Sequence, residues 1–285
     1  MQTRRLGKTD LTLSVIGLGG VVVMKEDQAE ADRMVAEAID AGVTYFDVAP
    51  QYMDAQQRMG PALEPYRDGV ALACKTLERT AEGARRELDD SLKKLRTDHF
   101  DLYQMHALNS VDEARRALGP GGAIEAFIEA KRAGKVRYIG FSAHDQDAAL
   151  HMVASGLFDS VLFPLNVVMI ERGHFGPALL DAANERGMGI LALKAIARTN
   201  IPEGVDKPYD KCWYTPEDRP RVAQMMLRYT LNLPGVTAAL PPGNPGLFKM
   251  ALGFADELGA LSDGELATLK DAVAGTEPLF PLPNA

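Results

Sequence analysis

Cysteine is almost missing from this chain: Cys74 and Cys212 are the only two among 285 residues. They stand far apart and neither sits in a Cys-x-x-Cys pattern. No disulfide framework or zinc site is expected, and the isolated thiols suit a reducing compartment. Cys74 is expected as a small buried hydrophobe and Cys212 as a loop thiol. Basic charge is also short. Lysine and arginine number 31 against 39 aspartates and glutamates, for a formal net charge of −8. Phosphate backbones call for a basic face, so no nucleic-acid partner is expected. No apolar run approaches the roughly 20 residues of a spanning helix, and Met1 to Asp10 lacks the apolar core of a signal peptide. These absences predict a soluble, cytoplasmic protein without membrane contact. Of the five histidines, His99 precedes a strand on the far side of the fold, and His151 and His174 have no partners at metal-ligand spacing.

What remains is ordinary globular material, 46% hydrophobic and 25% charged, in a chain long enough to bury a large core without staples. Thr3 to Leu6 and Leu11 to Leu13 flank a Gly-Lys-Thr-Asp turn, a hairpin signature. Leu13 to Leu18 is an apolar run ending in Gly19-Gly20. From there strands and helices alternate. Strands are predicted at residues 43–48, 70–75, 100–105, 136–141, 160–165, 189–193 and 236–240. Helical spacing falls at residues 29–41, 80–95, 122–133, 146–155, 176–186 and 220–231, with two further helical patterns at 247–258 and 262–273. About eight βα units predict an α/β fold, a (β/α)8 TIM barrel with an N-terminal β-hairpin and additional C-terminal helices. No linker divides the chain, so residues 1–285 are expected to form one domain. The segment from Ala197 to Pro220 breaks the rhythm with four prolines, Cys212, Trp213 and two tyrosines. It follows the seventh strand, where a long loop would lie over the catalytic mouth of a barrel and gate it.

Four polar residues stand where apolar strands reach that mouth. Asp47 ends the second strand, Tyr52 lies in the loop after it, Lys75 ends the third and His106 the fourth. Each alone reads equally as a cap or a solvated charge; together, from three consecutive strands, they fit one task. A buried lysine beside a phenol favours the phenolate and lowers its pKa from about 10. An aspartate keeps that lysine charged. A histidine can hold a carbonyl oxygen. Such a set could protonate an alkoxide as hydride reaches carbon.

The sequence resembles the aldo-keto reductase family over nearly its whole length. The resemblance rests on Phe46-Asp47-Val48-Ala49 with Tyr52, on Met59-Gly60 with Ala62-Leu63, and on Ser91-Leu92 through Asp101-Leu102-Tyr103-Gln104-Met105-His106. Gly134-Lys135-Val136-Arg137-Tyr138-Ile139-Gly140-Phe141-Ser142 is another close match. It implies that Asp47, Tyr52, Lys75 and His106 are catalytic, with Tyr52 as proton donor. It also implies NADP(H), or NAD(H), bound over the mouth of the barrel without a Gly-rich motif, and a small-molecule aldehyde, ketone or sugar carbonyl as substrate. The cofactor would be held by Gly19, Ser142, Asn166, Lys194, Pro241, Gly243 and Asn244.

The cofactor side departs from the family pattern. Ala143 and Leu162 stand where an Asn and a Gln usually hold the nicotinamide carboxamide, and Leu193 replaces a stacking aromatic. The loop after the last strand, Pro241-Pro242-Gly243-Asn244-Pro245-Gly246, offers only Lys249 as a nearby cation, although a 2′-phosphate normally needs Arg or Lys. Lys194, Arg228, Asn244 or backbone amides are the candidate substitutes; Lys194 could equally form a salt bridge at the mouth. His144 could contact substrate or cap the next helix. Two alternatives stay open: a nicotinamide-independent enzyme on a carbonyl substrate, with Lys75 or Lys194 as a Schiff-base amine or with Tyr52 and His106 serving a lyase or isomerase, and a non-enzymatic sensor or scaffold.

Overall fold

Side chains alternate along each strand, and that period of two builds the fold. In the computed structural model, which describes residues 1–282, the chain opens with the expected hairpin. β1 (Thr3–Arg5) and β2 (Thr12–Ser14) pair antiparallel, Thr3 opposite Ser14. Eight parallel strands follow in chain order: β3 (Leu18–Gly19), β4 (Tyr45–Asp47), β5 (Ala71–Thr76), β6 (Phe100–Leu108), β7 (Val136–Ala143), β8 (Ser160–Pro164) and β9 (Gly189–Leu193). The short antiparallel pair β10 (Ala197–Thr199) and β11 (Thr215–Pro216) then interrupts, before β12 (Val236–Leu240) completes the eight. A bridge between Ile16 and Ala239 joins first strand to last. The Gly17 N–H donates to the Ala239 carbonyl at 3.0 Å, and the Ala239 N–H donates to Val15 at 2.9 Å. The sheet is a barrel.

The helices wrap it: α1 (Gln28–Asp40), α2 (Ala55–Leu63), α3 (Ala81–Lys94), α4 (Val111–Leu118), α5 (Ala123–Arg132), α6 (Gln146–Ala154), α7 (Val167–Glu171), α8 (Pro177–Glu185), α9 (Pro220–Leu231), α10 (Pro245–Leu252) and α11 (Asp263–Val273). Their starts are set by side chains that accept orphan backbone N–H groups. Asp27, Thr80, Ser110, Asp145 and Ser262 cap α1, α3, α4, α6 and α11 in this way. No helix among the described residues is long and apolar enough to cross a membrane.

Two cores result. Tyr45, Ala73, Leu102, Leu162, Leu191, Ala238 and Leu240 point inward and fill the barrel, plugged at the bottom by Leu6, Leu11 and Leu13 of the hairpin. Their neighbours Phe46, Leu72, Cys74, Tyr103, Phe141, Phe163 and Ile190 point outward, into the larger core beneath the helices. Cys74 is buried there as expected.

The departures from sequence expectation are local. α2 and α7 carry no clear helical signal: α2 has Pro61 inside it and α7 is only five residues long. The apolar run from Leu13 yields a strand of two residues, since its earlier part meets β12 at a single bridge. In the long loop Cys212 is a free thiol as expected, but it is buried, as is Tyr214, while Trp213 is 57% exposed.

Phe127 of α5 is fully buried, its ring 4.8 Å from that of Tyr103. Phe127→Ala is expected to destabilise the fold by about 3–5 kcal/mol, read from the shift in urea unfolding midpoint. Leu157→Ser, at a half-exposed surface site, should stay within about 0.5 kcal/mol.

Candidate active site

The strand period that fills the barrel also aims its polar groups. Tyr45 and Asp47 share the inner face of β4, Ala73 and Lys75 that of β5, and Leu102, Gln104 and His106 that of β6. At the C-terminal end of the strands the apolar filling gives way to a cavity of about 280 Å3. Asp47, Tyr52, Lys75 and His106 all line it. The four residues singled out from sequence are therefore brought together.

Lys75 and Asp47 form a fully buried ion pair, Nζ on Oδ1. The other carboxylate oxygen accepts from Gln104 Nε2 at 2.9 Å and from the Tyr45 hydroxyl at 3.2 Å. Burial alone would lower the Lys75 pKa, but Asp47 and then Tyr52 outweigh it and raise it. The ammonium lies 5.1 Å from the centroid of the Tyr52 ring, close enough for a cation–π attraction. The ring of His106 stands edge-on to Tyr52 at 5.8 Å.

Tyr52 departs from the expectation of a lowered pKa. Burial pushes it up; Lys75 offsets this only in part, and the Asp47 charge adds to the rise. The lysine is already neutralised by its aspartate, so its field at the phenol is weakened. Tyr52 is thus a protonated donor throughout the neutral range. His106 moves the other way: burial, then the charge of Lys75, holds it well below the usual histidine value, so it is neutral.

A neutral imidazole carries one N–H. Gln51 Nε2 donates to Glu87 at 3.2 Å, which turns its Oε1 toward His106 Nδ1, also at 3.2 Å. That arrangement puts the proton on Nδ1 and leaves Nε2 an acceptor. The expected donation from His106 to a carbonyl oxygen thus requires the other tautomer, with the Gln51 amide reversed.

The expected cofactor residues divide. Gly19, Ser142, Lys194, Pro241 and Gly243 line the cavity. Gly243 lies so close to Val21 that any Cβ would collide with it, so glycine is what lets this loop approach the first strand's. Ser142 accepts from the backbone N–H of Ala107 at 2.8 Å. Asn166 does not face the cavity: it caps α7 and donates to the carbonyls of Lys194 and Ala197. Asn244 does not line the cavity, and its Oδ1 accepts from the first turn of α10. Arg228 is held by Glu265 and the carbonyls of Gly259 and Ala260. Lys194 forms no salt bridge among the described residues; its nearest polar partner is His144 Nε2 at 3.3 Å. His144 lines the cavity, while Asp145 caps α6.

Leu162 and Leu193 form apolar walls where polar or aromatic groups would be usual in the resemblance drawn above. Lys211 was not foreseen. It crosses from the long loop to donate to the Val22 carbonyl at 2.9 Å and to pair with Glu26 at 2.5 Å. With Trp213 and Tyr214 it walls one side of the cavity. Gln51, Gln104 and Tyr45 were also missed, although Tyr45 and Gln104 lie two residues from Asp47 and His106, on the same strand faces.

Comparison with known proteins agrees with this architecture. The aldo-keto reductase AKR11C1 of Bacillus halodurans, in its holo form, matches with a TM-score of 0.74, covering 96% of each chain at 23% identity, a likeness of fold. The uncharacterized oxidoreductase YqkF of Bacillus subtilis is 27% identical over 228 residues, 74% of this chain and 69% of its own length. The L-galactose dehydrogenase of Arabidopsis thaliana is 26% identical over 229 residues, 71% and 68% of the two chains. A model described as the aldo/keto reductase family matches residues 15–244, which is most of the barrel, and the chain therefore belongs to that family of oxidoreductases.

Proposed function

We propose that the protein is an NADP(H)-dependent reductase of an aldehyde, ketone or sugar carbonyl. The observation that carries this reading is the convergence of Tyr52, Lys75, Asp47 and His106 on one cavity. The dinucleotide would lie against Gly19, Pro241 and Gly243, where a Cβ added at Gly19 would meet nothing within 4 Å; when bound it supplies the hydride. Outside this cavity, Arg33 and Lys249 line an adjoining groove and are the cations available to a 2′-phosphate, although Arg33 is also engaged by Glu30 and Glu37.

The chain's own part is to hold and move a proton. Tyr52, kept protonated by burial, gives its hydroxyl proton to the carbonyl oxygen. Lys75 compensates the phenolate that forms, and Asp47 keeps Lys75 charged and fixed. His106, neutral, packs on Tyr52 and offers a polar nitrogen to the substrate. The apolar walls at Leu162, Leu193 and Leu240 exclude water, which strengthens these interactions. Among the curated relatives, the 6-dehydroglucose reductase of Novosphingobium aromaticivorans, 29% identical over 202 residues, is named for a reduction of this class. Lys75 is unsuited to Schiff-base chemistry, because its amine is held as ammonium by Asp47.

Titration with NADPH and NADH tests the cofactor. Trp213, the only tryptophan, lines the cavity, and NADPH is expected to quench it with a dissociation constant on the order of micromolar. Lack of binding of either nucleotide at millimolar concentration would sink the reductase reading.

Tyr52→Phe should lower kcat/KM about 10²- to 10⁴-fold with an unchanged melting temperature. Because a proton donor acts only while protonated, and the Tyr52 pKa is raised, reduction should hold its rate through neutral pH and fall only above about pH 10. A profile falling near pH 7 would point to another donor.

Asp47→Asn leaves a buried ammonium without its counter-charge. A loss of about 3–5 kcal/mol in stability is expected, with activity falling alongside, both checked by urea unfolding and steady-state assay.

A further inference from the structure

Among the cations lining the cavity, Lys75 is neutralised by Asp47 and Lys211 by Glu26. Lys194 has no acidic partner among the described residues. It follows β9 with a φ of +63°, a conformation that costs a non-glycine residue energy and tends to persist where function requires it. Two other such residues flank the site: Met53 beside Tyr52 and Ala107 beside His106. From this turn the Lys194 ammonium reaches past the end of β8 to His144 Nε2, and lies 5.4 Å over the ring of Phe280. Phe280 in turn stacks on His144 at 5.3 Å. One N–H is thus used on a neutral histidine, and the remaining donors are open to the cavity that Lys194 lines.

We propose that Lys194, with His144 beside it, is the receptor for an anionic oxygen group, a carboxylate or phosphate, carried by the carbonyl substrate. The proposal rests on the reductase reading of the same cavity and names its substrate class. Charge supports it: the protein as a whole carries −8, yet three lysines and one aspartate line this cavity. Burial brings the Lys194 pKa down to about 8, so the side chain is still mainly protonated at pH 7 and gains from any anion that meets it. His144, pushed down to about 3, adds no competing charge. Lys194, His144 and His106 gather on the side of the mouth built by β6, β7 and β9, and His106 senses the charge of Lys194. Gly19, Val21, Pro241 and Gly243, from the loops of the first and last strands, line the adjoining side, and Lys194 stands next to Pro241 because Leu193 pairs with Leu240.

The test is calorimetric titration of the full chain with 4-formylbenzoate and with its methyl ester, which differ by one charge. Wild type should bind the carboxylate roughly ten-fold tighter, as a charge-assisted hydrogen bond would give. Lys194→Met should bring the two ligands to near parity, Lys194→Arg should keep most of the preference, and neither should alter NADPH affinity. Equal binding of the two ligands by wild type would overturn the proposal. So would an equal loss of NADPH affinity in Lys194→Met, which would assign the ammonium to a dinucleotide phosphate. A borohydride-trapped adduct on Lys194 would overturn it too, by making the residue an amine nucleophile. Carboxylate preference that disappears in Lys194→Met supports the receptor even if neither aldehyde is reduced, an outcome that counts only against the reductase reading.

Discussion

The site depends on one buried ion pair, Lys75 with Asp47. Removing both charges from water costs several kcal/mol each, and the barrel offsets that cost by leaving the carboxylate no idle oxygen. One oxygen meets the ammonium, and the other receives Gln104 and Tyr45. The four groups come from β4, β5 and β6, so the pair fixes the relative heights of three neighbouring strands at the mouth. It also sets the chemistry around it. A lysine so paired offsets the burial of Tyr52 only in part, and the phenol stays protonated. The same positive end of the pair helps hold His106 neutral.

Much of this was legible beforehand, and the reason is periodicity. Alternation along strands and 3.6-residue spacing along helices are local signals, and they disclosed the barrel, the hairpin and the places where apolar strands end in Asp47, Lys75 and His106. What stayed hidden is of two kinds. Gln51, Gln104 and Lys211 matter through partners far along the chain, Glu87, Asp47 and Glu26, and no local spacing announces such pairs. Asn166 and Asn244 misled because an asparagine that caps a helix and one that binds a cofactor use the same oxygen and amide. Only the positions of α7 and α10 show that the oxygens of both cap helices, and that the Asn166 amide is used as well. Tyr52 misled through a magnitude: burial outweighs a lysine already paired with aspartate.

The long segment between β9 and α9 is irregular yet tied down at several points. Its short pair β10–β11, buried Cys212 and Tyr214, and the Lys211 bridge to Val22 and Glu26 anchor it to the body of the barrel. Trp213, between two buried neighbours, is left facing outward at the cavity. With these anchors the loop walls one side of the cavity, and its prolines limit the alternatives open to it in the unfolded chain.

The seam between Ile16 and Ala239 joins residues near opposite ends of the barrel sequence. Closing it must overcome the entropy of looping almost the whole chain, a cost that contacts between strands neighbouring in sequence carry far less of. Gly19, Pro241 and Gly243 lie beside that seam, whereas Asp47, Lys75 and His106 lie on consecutive strands and can assemble before it closes. A half-formed barrel could therefore already hold Asp47, Lys75 and His106 in order, with Gly19 beside Asp47, before Pro241 and Gly243 join them. The mouth of the barrel is thus complete only when its first and last strands meet.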